Sequence, residues 1–419
     1  VSIGKKAYIS LLVLFLIAFP KGGFKVGNVP ITWGYLLLAF TFLLIVAKII
    51  ITNQFSITVN RLLAFAVSIP FQLYCIMVFA VNGVASTGFY ISLLTSFIFL
   101  PFFFLIITGY YIDRIDLHYT FKQIKRAIFF IAVYGIALFI YKVVTKKFLE
   151  IPYLTVNADD FGQLENKFIN RGSLFKLIST YNNGNIFGVS VLMFLPLYNQ
   201  LEKSSLKKLA VYLSLVLTLS RTVWIGIMLF QVFKIFNKKA GIKNIIFVII
   251  SFVVIGISIG YMLSFMNYDL TFLFDKNLGG RAKQLEKLKE IEFITSKKFS
   301  LIAEIIYISV LDGFGILGLI FFLLSMLAPL IIYILGITRY KKSRFKTALF
   351  QGLLLYLILS FSDGAILYIP VMAFYWLITS FLLSKNTFFG IDIQRSSVKK
   401  FTPINDVVEN QYELHKSSA

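Results

Sequence analysis

The sequence predicts an all-α integral membrane protein of about twelve transmembrane helices carrying two long outer loops. Three observations carry that prediction. Hydrophobic residues make up 58% of the 419 and charged ones only 14%, with mean hydropathy +0.83, where soluble domains carry roughly 25% charge. Apolar runs near the length a bilayer requires, about 20 residues, recur along the whole chain. The formal net charge is +22, and the positive side chains crowd into short loops on one face.

The spans are expected near residues 7–19, 33–51, 62–80, 89–108, 127–145, 185–199, 245–266, 313–335, 347–361 and 365–384. Val1 to Lys6 followed by Ala7–Phe19 has the layout of a signal peptide. It lacks a small-x-small cleavage site, so it is taken as a retained first span. The run from Leu209 to Phe236 holds Arg221 at its centre. A guanidinium in hydrocarbon costs at least about 2.5–3.5 kcal/mol. Two short helices meeting at Arg221 avoid that cost. They also put the basic loops LEKSSLKK (201–208) and NKKAGIKN (237–244) on the side that holds FKQIKR (121–126) and TRYKKSRFK (338–346). The five short loops of that side then carry sixteen Lys and Arg, and the short loops opposite carry three, Lys21, Lys25 and Arg221. The positive-inside rule assigns the basic side, with both termini, to the cytoplasm. A single helix over 209–236 would split the two basic loops between faces and is rejected. Residues 1–384 form the membrane domain. The tail 385–419 is polar and mixed in charge, and is expected to be cytoplasmic and disordered.

The long outer loops, about 146–184 and 267–312, are basic although they face outward. An anionic ligand explains this; so does attraction of the lysines to anionic headgroups. Three segments there could carry chemistry. In INRGSLFKLISTYNNGNIFG (169–188), Tyr181, Asn182, Asn183 and Asn185 gather amide and phenol groups at a helix start, suited to sugar hydroxyls; plain N-capping by Asn is the alternative. In SRTVWIG (220–226), Ser220 and Arg221 stand at the hairpin apex, expected to line a cavity open to the outside. In NLGGRAKQLEKLKEIEFI (277–294), Gly279 and Gly280 end a turn. Arg281 opens an amphipathic helix at the membrane surface, set against the helix dipole. Next, SLIAEIIYIS (300–309) places Glu304 inside an apolar stretch, three residues before Tyr307. Buried there, its carboxylate must be paired or shift its pKa upward.

Other chemistries are excluded. Cys75 is the lone cysteine, so neither an intramolecular disulfide nor a cysteine metal site is expected. The two histidines, His118 and His415, lie outside the outer loops, and the adjacent Asp159 and Asp160 converge poorly as a metal pair. No metal, cofactor or nucleic-acid partner is expected. No internal repeat is visible, which disfavours transporters built from duplicated halves.

The motifs and their order resemble the O-antigen polymerase and O-antigen ligase superfamily of bacterial surface polysaccharide assembly. The resemblance covers about residues 165–380. It rests on R-G-S followed by N-x-N-x-x-G, then T-x-S-R, G-G-R, E-x-x-Y with G-x-x-G, and a late S-x-x-D-G. Each motif is short; the order carries the specificity. The resemblance implies a GT-C-like fold and an inverting, metal-independent glycosyl transfer at the outer face of the inner membrane. The donor would be an oligosaccharide on undecaprenyl pyrophosphate, and a chain-length regulator protein a possible partner. Arg221 and Arg281 would stabilise the leaving pyrophosphate, with Arg171 a third candidate, since arginine suits bidentate phosphate contact. Glu304 would be the general base. Tyr181, Asn182, Asn185, Ser220, Gly280 and Tyr307 would bind substrate. Ligases of the superfamily carry a histidine near the place of Glu304, and the absence of an outer histidine here favours polymerase. A lipid-linked oligosaccharide flippase is the alternative from another class.

Overall fold

The computed structural model describes residues 3–26, 29–166, 170–171, 174–237, 282–300, 302–336 and 343–385. The expected span 245–266, Gly280, Arg281 and all but the first residue of the 385–419 tail lie outside them.

The described chain is a helical bundle with two small antiparallel ribbons. In chain order it runs α1 (Ile3–Val13), β1 (Gly23–Val26), β2 (Val29–Thr32), α2 (Trp33–Thr52), α3 (Val59–Asn82), α4 (Thr87–Leu94), α5 (Gly109–Ile112) and α6 (Leu117–Thr145). It continues with β3 (Asn170–Arg171), β4 (Leu174–Phe175), α7 (Gly184–Leu201), α8 (Ser205–Val216), α9 (Arg221–Asn237), α10 (Ala282–Glu286), α11 (Ile306–Gly336), α12 (Arg344–Leu359) and α13 (Ile369–Leu382). Among the described residues, five helical stretches are long and apolar enough to cross a membrane: Trp33–Thr52, Val59–Asn82, Thr87–Ile107, Leu117–Thr145 and Ile306–Gly336. The second half of Thr87–Ile107 is wound in wider π turns. On α2, Phe40, Leu43, Ile50 and Ile51 are exposed, an apolar face suited to hydrocarbon and not to water. The chain is a multi-pass membrane protein. Shorter helices stand at the other expected span positions that the structure describes.

The run 209–236 is two helices. They separate at residues 217–220, where Leu219 takes a left-handed conformation (φ 50°). The Trp224 indole donates to Val216 O at 3.0 Å, giving a carbonyl at the end of α8 the partner that a helix terminus otherwise lacks. Arg221 therefore starts α9 and does not sit mid-helix.

α7 is the central element, buried along nearly its whole length. Two glycines let it be approached at backbone distance. A Cβ on Gly188 would lie 2.1 Å from Val223 Cγ2 of α9, and one on Gly352 of α12 would lie 2.1 Å from Met193 O of α7.

One expectation changes. The amphipathic helix over 277–294 is short where described: α10 gives way to a tight turn over Lys287–Glu290 and then to extended chain. That chain caps α11, since Glu292 O and Phe293 O accept from Ile316 N and Leu317 N at 3.0 and 3.1 Å. They do so where Gly315 (φ 71°) leaves helical geometry and kinks α11. The described part of the loop 146–184 is tied to α6. Glu165 takes hydrogen bonds from Lys142 Nζ and Phe148 N at 2.5 and 2.6 Å. Burial works to raise its carboxyl, but those bonds and the Lys142 and Lys147 charges outweigh it and hold the group below the usual carboxylate range.

Gly352→Ala should remove the α7–α12 contact, because the added Cβ meets a backbone oxygen that cannot rotate away. A destabilisation of about 3 kcal/mol is expected, the upper end for overpacking. Gly336→Ala, where a Cβ meets nothing within 4 Å, serves as control. Thermal unfolding in detergent checks both. Equal midpoints for the two variants would show that α12 can move away from α7 at no cost.

Candidate functional site

The site is built around the turn Ser360–Gly364, between α12 and α13. Asp363 is the sole charged residue between Lys346 and Lys385, and it is 4% exposed. Three helices begin against this turn. At the start of α7, Asn183 caps the helix by accepting from Asn185 N and Ile186 N at 2.8 and 3.2 Å. That leaves the Asn185 side chain for other work: it donates to Asp363 Oδ2 at 2.6 Å and accepts from Lys176 Nζ at 3.2 Å. At the start of α9, next to Arg221, Thr222 Oγ1 and Ser362 Oγ are 2.7 Å apart. At the start of α11, Ile306 N donates to Ser360 O at 3.2 Å. Helix N-termini carry a partial positive charge and exposed N–H groups, which favour anions.

The arrangement follows from local sequence. Asn183 and Ser220 precede helices in positions that favour small polar residues. The N-x-N-x-x-G spacing puts Asn185 and Gly188 on one face of α7, three residues apart. Gly188 admits Val223 of α9, so the two helix starts are drawn together by the contact that Gly188 permits.

No protein-family model matches this chain, and no curated protein or solved structure matches it.

Of the residues singled out in the sequence, Asn185, Ser220 and Arg221 lie at this turn. Ser220 is buried and its carbonyl accepts from Trp224 N at 3.0 Å. Tyr307 packs against the turn. Its hydroxyl donates to Leu357 O at 2.7 Å, and its ring sits 4.3 Å from that of Phe361, so it packs and positions. Glu304 is exposed, with Ile302, Ile305 and Ile306 around it buried. The apolar stretch is not helical before Ile306, so its chain turns the isoleucines inward and Glu304 outward. Ile305 N donates to Gln284 Oε1 at 3.1 Å, tying α10 to the segment that bears Glu304.

Tyr181 and Asn182 point elsewhere. The buried Tyr181 hydroxyl donates to Ile17 O at 2.9 Å, and Asn182 Nδ2 donates to Thr155 O at 3.0 Å. Arg171 is described only as backbone in β3. Sequence reasoning passed over Lys176, Thr222, Ser362 and Asp363 as site residues. Asp363 carried a signal, as a lone acid in an apolar stretch; the hydroxyls of Thr222 and Ser362 carried none.

Tyr181→Phe should cost about 1 kcal/mol, the net worth of one hydrogen bond, and leave the turn intact. Asn185→Leu should cost about 2 kcal/mol, because it removes a donor from a buried carboxylate. Unfolding measured in detergent ranks them. A larger loss for Tyr181→Phe would show that the turn at Asp363 is not where this end of the bundle is fixed.

Proposed function

We propose that the chain is a polysaccharide polymerase of the bacterial inner membrane. It transfers a growing O-antigen or capsule-type glycan from undecaprenyl pyrophosphate to a lipid-linked repeat unit at the outer face. The observation that supports this reading is the meeting of four separated motifs at one turn. Asn183–Gly188, Thr218–Arg221, Glu304–Tyr307 and Ser360–Gly364 stand far apart in sequence and are joined there by hydrogen bonds and close packing. A soluble-type metal centre is not needed for such a transfer. The leaving group is a pyrophosphate, and the reaction needs positive charge fixed where its negative charge develops. Three helix starts, Lys176 and Arg221 supply that charge around Asp363; Arg281, outside the described residues, is the second guanidinium.

In the step proposed, the acceptor hydroxyl oxygen forms a bond to the anomeric carbon. The bond from that carbon to the pyrophosphate oxygen breaks, and its electron pair leaves with the lipid pyrophosphate. The hydroxyl proton passes to the Glu304 carboxylate. Inversion at the anomeric carbon follows from attack opposite the leaving group. The orientation rests on the charge asymmetry, with twelve spans, the Asp363 turn outside and the basic loops in the cytoplasm. Ligase remains the nearest alternative and flippase the more distant one; a flippase draws its charges from many spans, whereas these gather at one end.

Arg221→Lys keeps the charge and gives up the planar fork. Severe loss of polymer is expected, with the protein still in the membrane. Glu304→Gln should lower polymerisation by about 10²–10⁴-fold while lipid-linked donor still binds. Retention of half or more of the wild-type rate in Glu304→Gln would leave the step without its base. Exported but unpolymerised repeat units in a deletion strain favour the enzyme; units held facing the cytoplasm favour a flippase.

Cysteines placed at Ser204 and Lys239 test the topology, since the native Cys75 is buried. Both should be shielded from a membrane-impermeant thiol reagent applied outside. Labelling of one alone would put 201–208 and 237–244 on opposite faces.

A further inference from the structure

A cavity of about 140 Å³ lies beside the Asp363 turn. Asn182, three residues before Asn185, forms part of one wall, and Tyr368, five residues after Asp363, forms another. Thr32 and Tyr35 at the start of α2, Asn157 of the long loop, and Lys21 complete it. These walls are fixed to one another. Lys25 Nζ pairs with Asp160 at 2.6 Å, and Lys25 N donates to Asp159 Oδ2 at 2.7 Å. The Trp33 indole donates to Tyr153 O at 2.7 Å, and Asn182 donates to Thr155 O. The ribbon β1–β2, the 151–160 loop and the start of α7 are thereby one preformed rim.

Two polar groups in the wall are left over. Asn157 is 5% exposed, and its Oδ1 has no hydrogen-bond partner among the described residues; the same holds for the Tyr368 hydroxyl. Buried polar groups in folded proteins are nearly always satisfied. Both oxygens are covered in the structure, and a small shift of the wall is what lets them bond a hydroxylated ligand, or water in its absence. The size selects further. A cavity of about 150 Å³ holds benzene and drug-sized ligands occupy roughly 300–1,000 Å³, so this one takes no more than a single sugar ring. The lining is mixed, with Pro20, Pro30, Leu367 and Ile369 beside the polar groups, as suits a sugar ring with its apolar faces and polar edge. Lys25 is already committed to Asp160, which makes the cavity poorly suited to a phosphate. Lys21 Nζ lies 4.3 Å above the Tyr368 ring and so shares the rim with an aromatic face.

We propose that this cavity binds one pyranose ring of the glycan, a sugar subsite adjoining the reacting centre. The choice of a glycan rests on the polymerase reading. The adjacency rests on the segments 182–185 and 363–368, each of which contributes to the Asp363 turn at one end and to the cavity at the other. A ring held here fixes the position of a glycan whose neighbouring residue reaches the turn.

Saturation-transfer NMR on the full chain in detergent tests it, with methyl pyranosides of a neutral hexose, an N-acetylhexosamine and a hexuronic acid as probes. At least one glycoside should receive saturation from the wild type. The signal should fall about five-fold in Tyr368→Phe and in Asn157→Ala, as loss of one hydrogen bond gives. The unfolding temperature of Tyr368→Phe should not drop, because its hydroxyl has no protein partner to lose. Arg221→Lys should keep the signal while losing polymer. No transfer to any glycoside, or equal transfer in wild type and both variants, overturns the subsite. If the wild type makes polymer without binding any glycoside, the subsite fails and the polymerase reading stands. If a glycoside binds but no polymer forms from lipid-linked donor, the polymerase reading fails and the cavity stands as a sugar site.

Discussion

Everything at the Asp363 turn depends on how closely other helices can approach α7. Between helices in hydrocarbon there is no hydrophobic drive, because lipid tails are as apolar as leucine. Cohesion has to come from interdigitated contact and from hydrogen bonds. α7 meets that demand with backbone-level contacts, Gly188 against Val223 and Gly352 against Met193 O, and Gly226 of α9 is closed in by Leu192 and Leu359. Each missing side chain brings two helices close enough for many weak dispersion contacts to add up. The same contacts set the site. Once α9 and α12 close on α7, the start of α7 meets the end of α12, and Asn185 reaches Asp363 without further adjustment.

The two ends of the bundle handle charge in opposite ways. At one, Arg61 is fully buried and both of its terminal nitrogens are committed. It holds Asp113 through two bonds of 2.9 and 3.1 Å and donates to Gly109 O and Ser380 O. Removing one partner of such a pair strands a buried charge, typically at a cost of 3–5 kcal/mol; a group so placed is a structural tie between α3, α5 and α13. At the other end the buried group is the carboxylate: Asp363 is 4% exposed, while Lys176 and Arg221 are only half-buried. Half-buried cations can exchange water for a ligand. That contrast is why the Asp363 end, and not the Arg61 end, is the candidate site.

Much of this was legible in the sequence. The break in 209–236 followed from the cost of a central arginine, and the helices follow the apolar runs closely: 89–108 became Thr87–Ile107 and 33–51 became Trp33–Thr52. Helix starts beyond the apolar core were not legible. α6 begins at Leu117, ten residues before its expected span, because FKQIKR is a good helix former that hydropathy alone passes over. The environment of Glu304 was misjudged for a related reason. Hydropathy averages over neighbours, and a carboxylate among buried isoleucines looks buried until the chain is seen to bend at Glu304. Side-chain partners across the fold were the least legible. Tyr181, Asn182 and Asn185 are similar polar residues within five positions, yet they serve Ile17, Thr155 and Asp363 in turn, and only the packing of α7 decides which.

The exposure of Glu304 bears on any chemistry assigned to it. Under the polymerase reading its effectiveness must come with the substrate. A docked acceptor would displace water from the carboxylate and set its hydroxyl within about 2.6–3.2 Å. The surroundings suit that order of events. Tyr307 is pinned by Leu357 and Phe361, and the segment before it is tied to Gln284, so the backbone carrying Glu304 is fixed on both sides while its side chain faces outward. Under the polymerase reading, Glu304 acts when a docked acceptor covers it and holds its hydroxyl in line with the anomeric carbon, whereas water at an uncovered Glu304 is not held in line. For an enzyme that must extend a chain and not hydrolyse its donor, that dependence on the acceptor is itself useful.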